Sequence, residues 1–391
     1  MEFVEFKNGQ KFPIKSWCSP IEDGAMAQAI ALSKLPFIHS HVALMPDCHQ
    51  GYGMPIGGVI ACKDVIIPNA VGVDIGCGMV AVRTDAIAQK ITTVQIKEIM
   101  GLVRKAIPVG FKHHVNAQQW KCFDNAPDLP IIQQQLKSAR KQIGTLGGGN
   151  HFIEIQRSDD GKIWLMIHSG SRNFGYKIAK EYNDKAIKQC KKWHSDIPNK
   201  DLAFLPIESR DAKEYIVAMN YALDFALESR RQMMNKFADI TCKILGCSII
   251  NKAINIHHNF ASLENHFGKN LWVHRKGATQ ARLGQLGIIP GSMGTPSYIV
   301  EGLGNRESFM SCSHGAGRKM GRADASRRLT IEDCDKAMDG IVYGRWGRDR
   351  KGRIDLGEAP GAYKDIESVI EAELDLIKPI TKLWPLGVVK G

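Results

Sequence analysis

The chain has 391 residues, 44% hydrophobic and 24% charged, which is ample for a substantial core and excludes a disordered chain. Its formal net charge of +12 favours a polyanionic partner, nucleic acid foremost. No apolar run approaches the roughly 18 residues of a membrane span, no signal-peptide pattern opens the chain, and the ten Cys form no CxxC pair, so the expectation is a reduced, cytoplasmic protein without a membrane partner.

In chain order, apolar runs at 41–46, 63–68 and 79–84 read as buried strands. Amphipathic helices are predicted at 94–106 and 131–143, and another strand at 163–169. A long helix follows over 211–246, with Asp211 as N-cap and Gly246 as stop. A strand at 297–302 and a last helix at 363–383 complete the reading. Between these elements lie Gly-rich clusters: "DCHQGYGMPIGG" (47–58), "VGVDIGCGM" (71–79), "GTLGGGNHF" (144–152), "HSGSRNFG" (168–175), "GIIPGSMGT" (287–295) and "SCSHGAGR" (311–318). Glycine at strand ends lets backbone approach a neighbour closely. The fold class is therefore α+β: one compact domain over 1–391, mixed sheets, Gly-rich strand ends converging on one site and helices packed outside.

Five residues in or beside those clusters carry metal-ligand chemistry: Asp74, Cys77, His151, His168 and His258. A thiolate, a carboxylate and three imidazoles suit one or two borderline divalent metals such as Zn, Mn, Co or Fe. His113, His114 and His257 read as solvent-facing or supporting groups. The turns "TLGGGN" and "PGSMGT" can form backbone nests for phosphate oxygens, and neither has the GK[ST] ending of a P-loop. Arg172 and Arg318 offer guanidinium forks for phosphate. His314, in a run of Ser, Gly and Ala, is a competent nucleophile toward phosphorus. Residue chemistry alone thus points to metal-dependent phosphate chemistry on a nucleotide or RNA, without choosing the nucleotide or the metal.

Taken together, "PDCHQGYGMPIGG", "VGVDIGCGM", "GGGNHFIE", "HSGSR", "HHN", "GIIPGSMGT", "SCSHGAGR" and the C-terminal "VKG" resemble, in order, the RtcB family of GTP-dependent RNA ligases, from residue 46 to residue 391. The resemblance implies joining of RNA 2′,3′-cyclic phosphate or 3′-phosphate ends to 5′-hydroxyl ends, in tRNA splicing or RNA repair. It implies guanylylation of His314 by GTP, transfer of GMP to the RNA 3′-phosphate, and attack by the 5′-hydroxyl. It places Mn2+, two ions bridged by Cys77, on Asp74, Cys77, His151, His168 and His258. It places GTP on Asn150, His151, Phe152, Ile153, Glu154, His258, Asn259, Pro290, Gly291, Ser292, Met293, Ser297, His314, Gly315, Ala316, Gly317 and Lys390. Asp47 and His49 are placed near the RNA end or behind the site, and an activating protein partner is compatible with the family.

Residues 107–128 and 341–358 match no motif of that family; "YGRWGRDRKGR" (343–353) is basic, with a tryptophan inside, and suits either RNA contact or a solvated loop. Two other functions remain open at this point. A metal-dependent phosphohydrolase or cyclic phosphodiesterase would use the same metal ligands without a covalent nucleotide. A basic RNA-binding protein with a structural metal would need only four ligands and no His314.

Overall fold

The computed structural model describes residues 1–6, 9–344, 346–348 and 352–391. Two larger sheets organise the mixed α and β chain. The first has six strands in the order Phe3–Glu5, Ile14–Ser16, Ile38–His49, Ile56–Cys62, Lys269–Lys276 and Asn259–His266. The second has seven, in the order Ile254–His257, Gly78–Ile87, Lys162–Ser169, Phe152–Ser158, Ile377–Lys390, Ser297–Gly302 and Leu286–Ile289. Pairing is antiparallel except between Ile14–Ser16 and Ile38–His49.

One chain segment joins the sheets at their edges. Ile254–His257 is the edge strand of the second sheet and Asn259–His266 that of the first, so His258 is the single residue between them. Between the sheets, Met45, Val59 and Val273 of the first pack with Ile289, Tyr298 and Val300 of the second. The other face of the second sheet packs on helices: Val80, Val82, Ile153 and Leu165 meet Ile99 and Val103 of Thr93–Ala106 and Met233 and Phe237 of Arg210–Leu245. Burying each such side chain contributes roughly 1.5–3 kcal/mol.

The long helix starts at Arg210, one residue before the expected cap. Ser209, not Asp211, caps it, accepting the Ala212 N–H at 3.2 Å. It ends as predicted at Gly246, whose φ of 62° is left-handed. The expected 63–68 strand shrinks to Val65–Ile66, because Pro68 opens the short helix Pro68–Val71. The expected helix at 363–383 is the largest difference. Only Ile366–Ala372 is helical, and Ile377–Lys390 is a fourteen-residue strand inside the second sheet. Its β-branched run of Ile377, Ile380 and Thr381, broken by Pro379, opposes a helix. Two helices unseen in the sequence, Asp23–Ser33 and Arg172–Lys192, complete the outer layer.

Candidate metal and nucleotide site

Strand register gathers the candidate ligands at one end of the second sheet. Across that end His257 pairs with Gly78, Met79 with His168, His168 with Phe152, and Phe152 with Lys390. Cys77 immediately precedes the Gly78 strand, His151 the Phe152 strand, and His258 follows His257, so all are carried to the same edge. The His258 N–H donates to the Cys77 carbonyl at 2.8 Å.

Cys77, His151 and His168 offer ligand atoms that all lie within 4.8 Å of one another, and all three side chains are buried. Cys77 Sγ sits 3.5 Å from His151 Nε2 and 3.3 Å from His168 Nε2. The two remaining candidates adjoin different members of this core. Asp74 Oδ2 is 3.2 Å from His151 Nε2, and His258 Nε2 is 3.3 Å from His168 Nε2. Asp74 is held by the Ser171 N–H at 3.1 Å and Oγ at 3.3 Å. Gly170 has no Cβ because one would fall on that carboxylate.

The tautomers follow from the outer contacts. His151 Nδ1 faces the Leu146 carbonyl at 2.9 Å and His168 Nδ1 the Asn150 carbonyl at 3.2 Å. A carbonyl only accepts, so each Nδ1 carries the hydrogen and each Nε2 turns a lone pair inward. Burial pushes the Cys77 thiol well above its ordinary value, and Asp74 adds to this; burial pushes the imidazoles of His168 and His258 well below theirs. Inward lone pairs beside a thiol and a carboxylate form a donor set that a borderline divalent cation satisfies, so the residues present fit a metal.

His314 faces this cluster. The Ser311–Ser313 strand pairs with Ala278–Gln280, and the Ala278 N–H donates to the His258 carbonyl. The rings of His314 and His258 meet edge-on, 4.8 Å between centroids. Asp47, wholly buried, places Oδ2 at 2.5 Å from His314 Nδ1 and at 3.1 Å from the His314 backbone N. Gly317 makes room for it: its φ is +71°, and a Cβ there would collide with the Asp47 carbonyl.

The nucleotide candidates connect contact by contact. Gln156 Nε2 donates to Glu154 and, at 3.1 Å, to Ser297 Oγ, which accepts the Gly291 N–H at 3.3 Å. Burial pushes the Glu154 carboxyl up to about 8. The Ala316 N–H donates to the Pro290 carbonyl at 2.9 Å, Ser292 bonds Thr295, and Met293 packs beside Phe152. Lys390 Nζ donates to the Asn150 carbonyl at 3.3 Å, lies 3.6 Å from Glu358 Oε2 and sits over the Phe152 ring. The Asn259 amide is spent internally, donating to the Asp74 carbonyl at 3.1 Å and accepting the Gly277 N–H at 2.7 Å.

Some expectations change. Arg172 braces the Gly-rich turn through Thr145 Oγ1 and the Gly110 carbonyl, and Arg318 is held by Glu358, Tyr363 and the Gly357 carbonyl, so neither fork stands open for phosphate. Of its two expected roles His257 takes the supporting one: its Nδ1 lies 3.0 Å from the Gly76 carbonyl, and burial holds its imidazole down at about 3. His113 is exposed, and His114 contacts the Gly144 carbonyl. Sequence reasoning missed Arg230, wholly buried, which donates to the carbonyls of Gly76 (2.8 Å) and Ser169 (2.9 Å) and to Asn255 Oδ1 (2.7 Å). Its signal was an arginine in the apolar stripe of the long helix, four residues after Ala226 and three before Met233.

A soft-donor cluster opening onto a carboxylate-held imidazole, with Gly-rich turns around both, is an arrangement suited to the phosphate chemistry of an enzyme. The family described as tRNA-splicing ligase RtcB matches over residues 28–129 and 114–391. The chain is 38% identical to the RNA-splicing ligase RtcB of Escherichia coli (strain K12), covering 99% of each. It is 31% identical to the tRNA-splicing ligase RtcB of Pyrobaculum aerophilum, covering 98% of this chain and 95% of that one. With the tRNA-splicing ligase RtcB of Thermococcus kodakarensis it shares 30% identity over 95% of this chain and 92% of the other. The chain belongs to the RtcB family.

Proposed function

We propose that the chain is an RNA ligase that uses GTP to join RNA 2′,3′-cyclic phosphate or 3′-phosphate ends to 5′-hydroxyl ends, in tRNA splicing or RNA repair. The observation that carries this reading is the Asp47–His314 pair facing the Cys77, His151 and His168 cluster. Asp47 holds the hydrogen on His314 Nδ1, which leaves Nε2 with a lone pair. Nε2 attacks the α-phosphorus of GTP; the N–P bond forms, the bond to the β-phosphate oxygen breaks, and pyrophosphate leaves. An oxygen of the RNA 3′-phosphate then attacks the same phosphorus, and the N–P bond breaks. Finally the 5′-hydroxyl attacks the RNA 3′-phosphate, its proton is lost, and GMP leaves. A cyclic end is first hydrolysed to the 3′-phosphate.

Asp74, Cys77, His151, His168 and His258 would hold Mn2+, and the metal would supply neutralisation of charge on the reacting phosphates. Asn150 to Glu154, Pro290 to Met293, Ser297, Gly315 to Gly317 and Lys390 bind and orient the nucleotide. Since these residues run from 47 to 390, the reading treats 1–391 as one catalytic unit working in the cytoplasm. A phosphohydrolase or cyclic phosphodiesterase could use the same imidazole as a general base, but relatives matched over nearly the whole chain carry the name of RNA-splicing ligase, which favours the ligase.

The test is incubation with Mn2+ and GTP labelled at the α-phosphate, beside His314→Ala and ATP controls. Acid-labile label on the wild type alone, from GTP alone, is expected. Metal-loaded protein that takes no label would overturn the reading.

A further inference from the structure

The basic segment 343–353, "YGRWGRDRKGR", has five Arg or Lys against one Asp and plays no part in the chemistry above. Arg345 and residues 349–351 lie outside the described residues. Tyr343 and Trp346 are anchored by their polar tips: the phenol and the indole N–H both donate to Asp335 Oδ1, each at 2.7 Å. The rings lie 5.4 Å apart at 52°, so neither covers the face of the other. Both are half-buried; their inner sides rest on a cluster that includes Phe152, Met293, Met338 and Val388. Their outer sides, with Asp335, Gly344, Arg348 and Ile354, wall a cleft of about 440 Å³.

The cleft is fixed to the site by backbone. The Val342 N–H donates to the Leu386 carbonyl at 2.9 Å, and the Val388 N–H returns to the Val342 carbonyl at 2.8 Å, on the strand that ends at Lys390. Arg348 lines the same cleft, its backbone bridged to Ile354 and its Nη1 on the Gly352 carbonyl at 2.6 Å. Arg104 of the Thr93–Ala106 helix lies beside Gly344.

Two oriented aromatic rings whose polar edges are already satisfied present apolar π-faces, and guanidinium groups stand beside them. That combination matches a nucleobase with its phosphate: the base stacks, the phosphate meets the arginines, and no base identity is read. An acidic peptide would use the arginines and leave the rings idle. We propose that the Tyr343–Trp346 cleft stacks an unpaired base of the RNA substrate beside the end being joined. The proposal rests on the RNA-ligase reading and adds a subsite to it.

The experiment measures RNA binding and ligation by the full chain with a single-stranded 3′-phosphate RNA in which one nucleotide at a time is made abasic. GMP labelling of the protein is read in parallel. One abasic position should weaken wild-type binding about tenfold or more, as expected for a lost stack. Trp346→Ala should lose the same factor on intact RNA and be insensitive to that abasic position. Trp346→Phe, which keeps a ring, should fall between them, with GMP labelling retained in both variants. If no abasic position weakens wild-type binding, the proposal fails, whatever the variants do. It also fails if Trp346→Ala binds RNA normally while Arg348→Gln does not, because that pattern is phosphate contact without stacking. Absent GMP labelling in the wild type would strike the ligase reading instead.

Discussion

Asp47 grips His314 twice, its Oδ2 lying 2.5 Å from the ring Nδ1 and 3.1 Å from the backbone N. One carboxylate oxygen therefore fixes both the position of the residue and the tautomer of its ring. Asp47→Asn keeps the volume, but its amide can present an NH2 to Nδ1 and so favour the wrong tautomer. GMP labelling should slow by about 10²–10⁴-fold, with the fold retained by circular dichroism. Labelling at the wild-type rate would show that the carboxylate has no part in activating His314.

Lys390 is next to the last residue, yet it is held at Asn150 and opposite Glu358. Lys390→Met removes the charge while Arg318 and Arg322 still pair with Glu358, so folding stability should change by about 1 kcal/mol or less. The KM for GTP should rise on the order of tenfold to a hundredfold, the range of a lost charge-assisted hydrogen bond. An unchanged KM with a lowered melting temperature would assign Lys390 to packing alone.

Much of this site could be read from the chain because its chemistry sits in Gly-rich strand ends, where Cys77, His151 and His168 are local anomalies. Pairings between distant segments were less legible. Asp47 is a carboxylate in a loop motif until the fold brings it 267 positions along the chain to His314. Residues 377–383 of the last strand fall in the predicted 363–383 helix because their burial is decided by the neighbouring strands Phe152–Ser158 and Ser297–Gly302, not by their own periodicity. Arg172 and Arg318 have phosphate-binding chemistry, but local acceptors claim them, and only the packed structure shows which acceptors are near.

Cys77 is the donor at the centre of the five candidate ligands. Cys77→Ala should lower bound Mn2+ or Co2+ by elemental analysis to less than half of the wild-type content, since it removes the one sulfur donor of the cluster, which the imidazoles of His151 and His168 cannot replace. The metal-free variant should still fold, because the site is built on sheet register rather than on the ion. Full metal content in Cys77→Ala would remove the cysteine from the ligand set.

Arg230 ties together the Gly76 turn, the end of the Lys162–Ser169 strand and Asn255, so three chain segments meet on one wholly buried guanidinium. Arg230→Met fits the space but leaves two carbonyls and an amide oxygen without their donor. The cost should be about 3 kcal/mol or more, given the penalty for each unsatisfied buried acceptor, read as a shift in the urea midpoint. Metal affinity should fall as well, because Gly76 adjoins Cys77 and Ser169 adjoins His168. A variant of wild-type stability would mean that water replaces all three bonds.

Glu358 carries the pH dependence of the C-terminal corner. Burial alone would raise its carboxyl, but Lys390, Arg322, a hydrogen bond from Tyr363 and Arg318 together hold it down at about 2. A carboxyl whose folded pKa lies below its unfolded value, here 4.5, stabilises the fold fully above that unfolded value. The contribution is lost as pH falls from about 4.5 toward 2. Each pKa unit corresponds to about 1.4 kcal/mol, which sets an upper bound of about 3 kcal/mol on the effect. Glu358→Gln removes the charge at every pH. Urea unfolding of both proteins should therefore show a gap that is widest at neutral pH and closes in acid. A gap of constant size would trace the loss to packing. A closing gap would show that ionised Glu358 holds Lys390, Arg322 and Arg318 together.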